Sequence, residues 1–233
     1  MKKNIFYMML LSLVAFTFAS CSDDESEGKS RFTFYPTIEL AGDATMTVGK
    51  GTAYVEPGFT STLNGEDVTD QVTISGTVNT NKSGVYTLTY TTTKNSDGFS
   101  ASASRKVIVL DLNSAVEGFY LTQADSYRLR EGAKVAYGAQ YEILIIDNGD
   151  GTYDVDDLLG GWYCQRVGYG TNYALAGTVA IAEDGTVTCN DSYIIGWGDS
   201  HDDFSGTFDA ATSTFHVDVV YAGMNFVQTW VKE

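Results

Sequence analysis

The sequence predicts an all-β protein on three observations: its residue inventory, the alternation of apolar and polar side chains, and the turn residues that interrupt the alternation. The 233 residues include 27 Thr, 15 Tyr, 12 Phe and 24 Gly but only 2 Pro. Thr and aromatic side chains suit pleated, half-buried surfaces, and Gly suits the turns between them. Apolar residues make up 43% of the chain, enough for packed cores, so wholesale disorder is excluded. No helix-period segment of ordinary length appears between Arg31 and Glu233. With 30 acidic against 14 basic residues the net charge is −16, which argues against a nucleic-acid partner. Two His without a dense Cys/His cluster argue against a zinc or His-based catalytic site.

The N-terminus reads as an address. Lys2 and Lys3 precede a run from position 5 to 19 that is apolar except at Ser12 and Thr17, the pattern of a secretory signal over residues 1–20. The run is too short for an ordinary membrane-spanning helix, which needs ~20 apolar residues. Its close, Phe18-Ala19-Ser20-Cys21, resembles the lipobox of bacterial lipoproteins, with Phe18 where Leu is usual. That resemblance implies acylation of Cys21 and anchoring by the lipid alone, each buried CH₂ adding ~0.8 kcal/mol. Ordinary cleavage, leaving Cys21 as a spare thiol, is the alternative. Ser22-Asp23-Asp24-Glu25 resembles the export signal of outer-membrane lipoproteins in glycan-degrading gut anaerobes, which implies display on the outer face. A plain solvated linker is the bland reading of the same charges. Residues 21–34 are expected to form a disordered acidic tether. Removing residues 1–20 leaves 12 basic and 30 acidic residues, a net charge of −18.

Residues 35–111 are expected to fold as an N-terminal immunoglobulin-like β-sandwich. In 85–90, Tyr86, Leu88 and Tyr90 share one face; in 99–109, Phe99, Ala101, Ala103, Val107 and Val109 do so, interrupted by Arg105. Asn64-Gly65, the stretch 81–84 and Ser96-Asp97-Gly98 punctuate these runs at hairpin spacing, and about seven short strands fit a sandwich. Tyr54-Val55-Glu56-Pro57-Gly58, then Gly65-Glu66-Asp67-Val68-Thr69, Gly76-Thr77-Val78-Asn79-Thr80 and Gly84-Val85-Tyr86-Thr87-Leu88-Thr89-Tyr90 occur in this order. Together they resemble an immunoglobulin-like repeat of bacterial surface proteins, which implies a spacer or interaction module without catalytic residues.

A polar bridge over 111–117 leads into residues 118–233. Strand candidates follow quickly at 119–123, 140–147, 152–155, 162–167, 173–181, 186–189, 193–197, 204–208, 215–221 and 226–231. That many consecutive strands with short turns read as a C-terminal antiparallel β-barrel, with a second sandwich as the alternative. Asp150-Gly151-Thr152-Tyr153, the stretch Asp157-Leu158-Leu159-Gly160-Gly161-Trp162-Tyr163, Gly196-Trp197-Gly198-Asp199-Ser200 and Tyr221-Ala222-Gly223 resemble the lipocalin-like domain of gut-bacterial lipoproteins. Such proteins pair this domain with an immunoglobulin-like module near starch-utilisation-type uptake systems, which implies a transporter partner.

Motifs that suggest other chemistry fail on spacing. From Asp147, a calcium loop would need side-chain ligands where Gly149 and Gly151 stand, so 147–151 is expected to be a hairpin turn. Gly198-Asp199-Ser200 resembles a hydrolase nucleophile motif but lacks the strand-to-helix turn and a base, since His201 is merely its neighbour. Asp199, His201, Asp202 and Asp203 could form a weak metal site, but a solvated loop is the preferred reading. No metal or cofactor is therefore assigned. Cys164 and Cys189, an even pair in an exported domain, are weighed equally as a disulfide and as free buried thiols.

The aromatic set Trp162, Tyr163, Tyr169, Tyr173, Tyr193 and Trp197 carries the functional expectation. Sugar rings present apolar C–H faces that flat side chains can cover, although aromatics also fill barrel cores. Tyr193, Ile195 and Trp197 share a strand face, which favours core. Gly flanks Tyr169 and Trp197, which favours their exposure. The tentative ligand residues are Tyr169, Trp197, Tyr173 and Trp162. The expected protein is a non-catalytic lipoprotein facing outward from the outer membrane that captures a glycan for an uptake system. Its rival is an adhesion or assembly protein contacting a host glycoprotein or a transporter.

Overall fold

The structure is a computed structural model describing residues 32–233; the expected signal peptide, Cys21 and most of the tether lie outside the described residues. The first seven strands are β1 (Thr37–Leu40), β2 (Thr45–Gly49), β3 (Phe59–Leu63), β4 (Glu66–Asp67), β5 (Val72–Ser75), β6 (Gly84–Thr92) and β7 (Ser102–Leu110). They form two sheets, ordered β1-β3-β4 and β2-β7-β6-β5, with β2 parallel to β7. Alternation sets which side chains go inside: Leu88 and Tyr90 are buried, whereas Val85 is exposed. Tyr90 meets Phe59 of β3 with ring centroids 5.0 Å apart, joining the two sheets.

Arg105 does not interrupt the inner face of β7; it is the polar centre of the sandwich and is fully buried. Its guanidinium donates to the carbonyls of Asp43, Ala41 (2.8 Å) and Gly58 (3.2 Å), and pairs with Glu56 at 3.1 Å. Glu56 also accepts from the Tyr54 hydroxyl and from the Gly58 N–H at 3.1 Å. Tyr54 through Gly58 is thus the collar around one buried arginine. Desolvation works to raise the Glu56 pKa, but hydrogen bonds from Tyr54, Tyr90 and Gly58 and the Arg105 charge outweigh it, and the net shift is downward.

The remaining strands are β8 (Gly118–Thr122), β9 (Tyr127–Arg130), β10 (Ala133–Ala136), β11 (Tyr141–Asp147), β12 (Thr152–Val155), β13 (Leu175–Ile181), β14 (Thr186–Ile194), β15 (Asp203–Asp209), β16 (Thr214–Tyr221) and β17 (Met224–Lys232). Among the described residues, β8 and β11 to β17 close into an antiparallel barrel of eight strands, the ring sealed by β17 pairing with β8. Closure removes the free edges that an open sheet of this size would present. The first part of β17 pairs instead with β9, so the β9–β10 hairpin extends the wall at one end. The core runs through Tyr120, Ile143, Val179, Phe215, Val217, Phe226 and Trp230.

The structure departs from expectation at three places. Residues 162–167 are not a strand: Trp162–Arg166 forms one π-helical turn, with the Arg166 N–H bonded to the Gly161 carbonyl at 2.8 Å. The stretch 193–197 is not continuous strand either; β14 ends at Ile194, and Tyr193 and Ile195 are exposed rather than core. The β9–β10 hairpin was not foreseen. Its two-residue turn uses Glu131 (φ 49°) and Gly132 (φ 80°), a positive-φ pair without the Asn or Asp that usually announces it. The acidic loop 147–151 is the expected turn, with Asp147 and Asp150 accepting from the Gly149 and Thr152 N–H groups at 2.7 and 3.0 Å.

The sandwich and barrel share a small apolar contact. The outer face of β7, Ile108 and Leu110, packs with Leu144, Phe119 and Ile146, so β7 is buried on both sides at its end. Glu117 is buried and accepts from Ser83 Oγ (3.0 Å) and the Asp111 N–H (2.9 Å), folding residues 111–117 against both units.

Arg105→Ala should lower the unfolding free energy by about 3 kcal/mol in urea titrations, because it leaves Glu56 and three carbonyls without their donor. Lys106→Ala, on the opposite face of β7, should cost less than ~0.5 kcal/mol.

Candidate functional site

The barrel end bearing the hairpin is filled by the loop 157–161 and the π-helical turn, and one carboxylate organises both. Asp157 is 2% exposed. Its Oδ1 accepts from the Leu159 N–H (2.9 Å) and the Leu175 N–H (3.0 Å); its Oδ2 accepts from the Gly161 N–H (2.9 Å) and from Cys164 Sγ (3.1 Å). Two carbonyls of the loop are also tied to the wall: Gln228 Nε2 donates to Leu158 O at 2.9 Å and the Tyr137 hydroxyl to Leu159 O at 2.6 Å. Gly160 and Gly161 (φ 57° and 82°) leave no room for side chains. A Cβ on Gly160 would overlap Gln228 and lie 2.6 Å from Thr122 Oγ1, and one on Gly161 would lie 2.5 Å from Tyr141. The pair therefore reverses the chain tightly against the wall and turns Trp162 inward. Desolvation pushes the Asp157 pKa up, against the four hydrogen bonds that favour its charge.

Trp162 is 2% exposed and packs edge-on to Tyr137 (4.9 Å) and Phe226 (5.7 Å). It is the stopper of the barrel, so its expected ligand role is corrected: no ligand reaches a ring buried this deeply. The next residue, Tyr163, stands at the centre of a ring cluster. It meets Trp197 edge-on at 4.7 Å, Tyr169 in a stacked arrangement at 6.4 Å and Tyr221 at 6.3 Å. Trp197 also contacts Tyr173 (5.0 Å) and stacks with Tyr221 (5.9 Å), and Tyr169 contacts Tyr173 (5.4 Å). Tyr169 and Trp197 remain 56% and 43% exposed, and Tyr173 is half-buried.

Backbone bonds hold this cluster. The Tyr169 and Gly170 N–H groups reach back to the carbonyls of Tyr163 and Cys164, each at 3.1 Å, and the Gly196 N–H donates to Asn172 O at 2.7 Å. A Cβ on Gly196 would sit 2.5 Å from the Tyr173 ring, so only glycine permits that ring to lie on the loop. The Tyr221 hydroxyl donates to Asp199 Oδ1 at 2.7 Å. Burial raises the Tyr163 pKa and Arg128 and Arg130 pull it back only in part, so the hydroxyl stays protonated near neutral pH.

The other candidates fall elsewhere. Cys21 lies outside the described residues. Cys164 and Cys189 are free. The disulfide reading is corrected, because each thiol is turned to its own acceptor, Asp157 Oδ2 for Cys164 and the Asp191 carbonyl (3.1 Å) for Cys189. His201 Nδ1 lies 2.7 Å from Ser192 Oγ rather than on Ser200, and Asp202 Oδ2 accepts from the Gly223 N–H at 3.3 Å. Among the described residues no three His, Cys, Asp or Glu side chains converge as a metal site. Sequence reasoning missed Tyr221, Arg128 and Arg130. The signal for Tyr221 was present: it ends the inward series Phe215, Val217, Val219, and the end of an inward series lies at a barrel mouth. A groove of about 380 Å³ runs between Val85 of the sandwich and the barrel wall at Leu144, Ile146 and Tyr193, away from the ring cluster.

An immunoglobulin-like sandwich joined to a plugged eight-stranded barrel with an aromatic end defines a two-unit, all-β class of protein. A family model described as the Ig-like domain of a bacterial surface protein matches residues 38–109, and a second, for a C-terminal domain, matches residues 109–232. The crystal structure of the lipoprotein BT2262 from Bacteroides thetaiotaomicron is 39% identical, covers 85% of this chain and 100% of that one, and superposes with a TM-score of 0.71. The chain belongs to the family of that lipoprotein. The CBM51-2 and INT domains of Clostridium perfringens ZmpB, solved with GlcNAc, are 19% identical over 51% of this chain and 31% of that one, with a TM-score of 0.27, too low to carry an argument. No curated protein matches the sequence.

Two outcomes follow from the plug. Asp157→Ala should cost about 3 kcal/mol by leaving three backbone N–H groups buried without an acceptor. Asp157→Asn stays neutral while the wild-type carboxyl must ionise. The raised folded pKa favours the native state at low pH and loses that contribution as pH rises, so the wild type should lose stability relative to Asp157→Asn as pH rises above the ordinary carboxylate range in urea titrations. Burial raises both thiol pKa values, that of Cys189 to about 11. A chain cut after Cys21 should therefore alkylate slowly when native, and take up two adducts by mass once denatured without reductant.

Proposed function

We propose that the aromatic end of the barrel binds polysaccharide or oligosaccharide, without catalysis, on the outer face of the outer membrane. The sandwich acts as a spacer above the lipid anchor, and the captured glycan passes to an uptake transporter. The observation that supports this reading is the placement of Tyr169 and Trp197. Both sit on a rigid cluster of rings and keep about half their surface free. A flat ring already immobilised loses little side-chain entropy when a sugar face covers it. Asp199, Asn172 and the tyrosine hydroxyls around them supply the polar partners that sugar hydroxyls need.

A second reading rests on Tyr193, 54% exposed and lining the groove under Val85, and on Ile195, 69% exposed two residues on. Exposed apolar side chains of this size suit a protein contact, as in adhesion or assembly with a transporter.

The test is a glycan pull-down and calorimetric titration with the full chain over plant and host polysaccharides. Tyr169→Ala or Trp197→Ala should weaken binding by tenfold or more, about 1.4 kcal/mol, with unchanged melting temperature. Retained binding in both variants, or no binding across the panel, refutes the glycan reading. Co-purification with an outer-membrane protein, lost on Ile195→Asp, would favour the second.

A further inference from the structure

We infer that the barrel mouth selects an anionic saccharide, its carboxylate or sulfate held by Arg128 and Arg130 while the sugar ring lies on Tyr169 and Trp197. The inference rests on the glycan reading and narrows it. Residues 118–233 carry 17 acidic and five basic side chains, yet four of those five, Arg128, Arg130, Lys134 and Arg166, lie on the β9–β10 hairpin and the plug beside it. In a domain this acidic, such a grouping forms a local positive field.

Register puts two of them on the barrel side of β9, Arg128 half-buried and Arg130 exposed at the strand end. Arg128 is the cross-strand partner of Phe226, whose ring is buried in the barrel, so Arg128 and Arg130, two residues on, share the inward face of β9. Lys134 pairs with Leu129 and belongs to the outward face, over the Tyr127 ring at 3.7 Å. The guanidinium carbons of Arg128 and Arg166 lie 4.9 and 4.2 Å from the centre of the Trp162 ring. Two cations therefore share one indole, a repulsion that a bound anion would relieve.

Among the described residues the ion pair formed is Arg105–Glu56, in the sandwich, and no carboxylate pairs with Arg128, Arg130 or Arg166. Arg128 Nε is buried without a hydrogen-bond partner. Seventeen acids are available to neutralise these arginines and none does so. A planar guanidinium offers two parallel donors to a carboxylate or sulfate, next to rings able to stack the sugar that bears it.

Calorimetry on the full chain in detergent would compare oligogalacturonides, chondroitin sulfate oligosaccharides, and neutral malto- and xylo-oligosaccharides. The acidic ligands should bind at least about tenfold more tightly than the neutral ones, and this preference should shrink as salt rises. Arg130→Gln should abolish most of the preference and Arg130→Lys should restore part of it. Lys134→Gln, the same charge change on the outward face, should leave it intact. Preference for the oligogalacturonides assigns a carboxylate, and preference for chondroitin sulfate alone assigns the sulfate. Equal affinity for acidic and neutral ligands, or an equal loss in Lys134→Gln, overturns the inference. Neutral glycans bound through Tyr169 and Trp197 would overturn it while leaving the glycan reading standing. Absence of any binding overturns both.

Discussion

The aromatic end of this barrel depends on one buried carboxylate. Asp157 gathers three backbone N–H groups and a thiol from two segments, Leu159–Cys164 and Leu175, and so fixes the plug to the barrel wall. Burying an ionisable group is costly, and the upward shift of its pKa shows desolvation outweighing the bonds it receives. The return is conformational. With the loop pinned, the π-helical turn has one orientation, Trp162 seals the barrel and Tyr163 stands above it as the hub of the ring cluster. A cluster placed by backbone bonds, rather than by side-chain packing alone, keeps its exposed members in position without a ligand.

The sandwich repeats the device with the opposite charge. Arg105 is buried and encircled by carbonyls and Glu56, and the strand ends β1 and β3 meet around it. Each unit therefore joins segments far apart in sequence through a single charged group, which demands one geometry where an apolar contact would tolerate several. Between the units, Ile108, Leu110 and Leu144 form a small apolar seam, and buried Glu117 ties the connecting segment to Ser83. The linker is thus packed rather than loose.

Much of this was legible along the chain. Alternation in 85–90 and 215–221 identified strands and their inward faces, because one-sided burial enforces a period of two. The motif around Tyr54–Gly58 carried a family resemblance whose physical basis is the Arg105 collar. What misled was local ambiguity. Trp162-Tyr163-Cys164 has the β-propensity of a strand, and the positive φ of Gly160 and Gly161 with the Asp157 bonds overrode it. Tyr193, Ile195 and Trp197 alternate like a core face, yet Tyr193 sits on the outer face of β14, which ends at Ile194, and the loop carries Ile195 and Trp197 to the surface.

Composition and periodicity establish fold class, strand faces and acidity here because these are properties of neighbouring residues, repeated every two positions. The assembly of the site belongs to the closed barrel. Tyr163 and Tyr169, Trp197, and Tyr221 come from three separate stretches, and only the register of β16, β17 and β9, together with a plug held by Asp157, brings them and two arginines to one mouth. Long-range pairing has no local signature, so the meeting of these residues could not be read from any one of the segments that supply them.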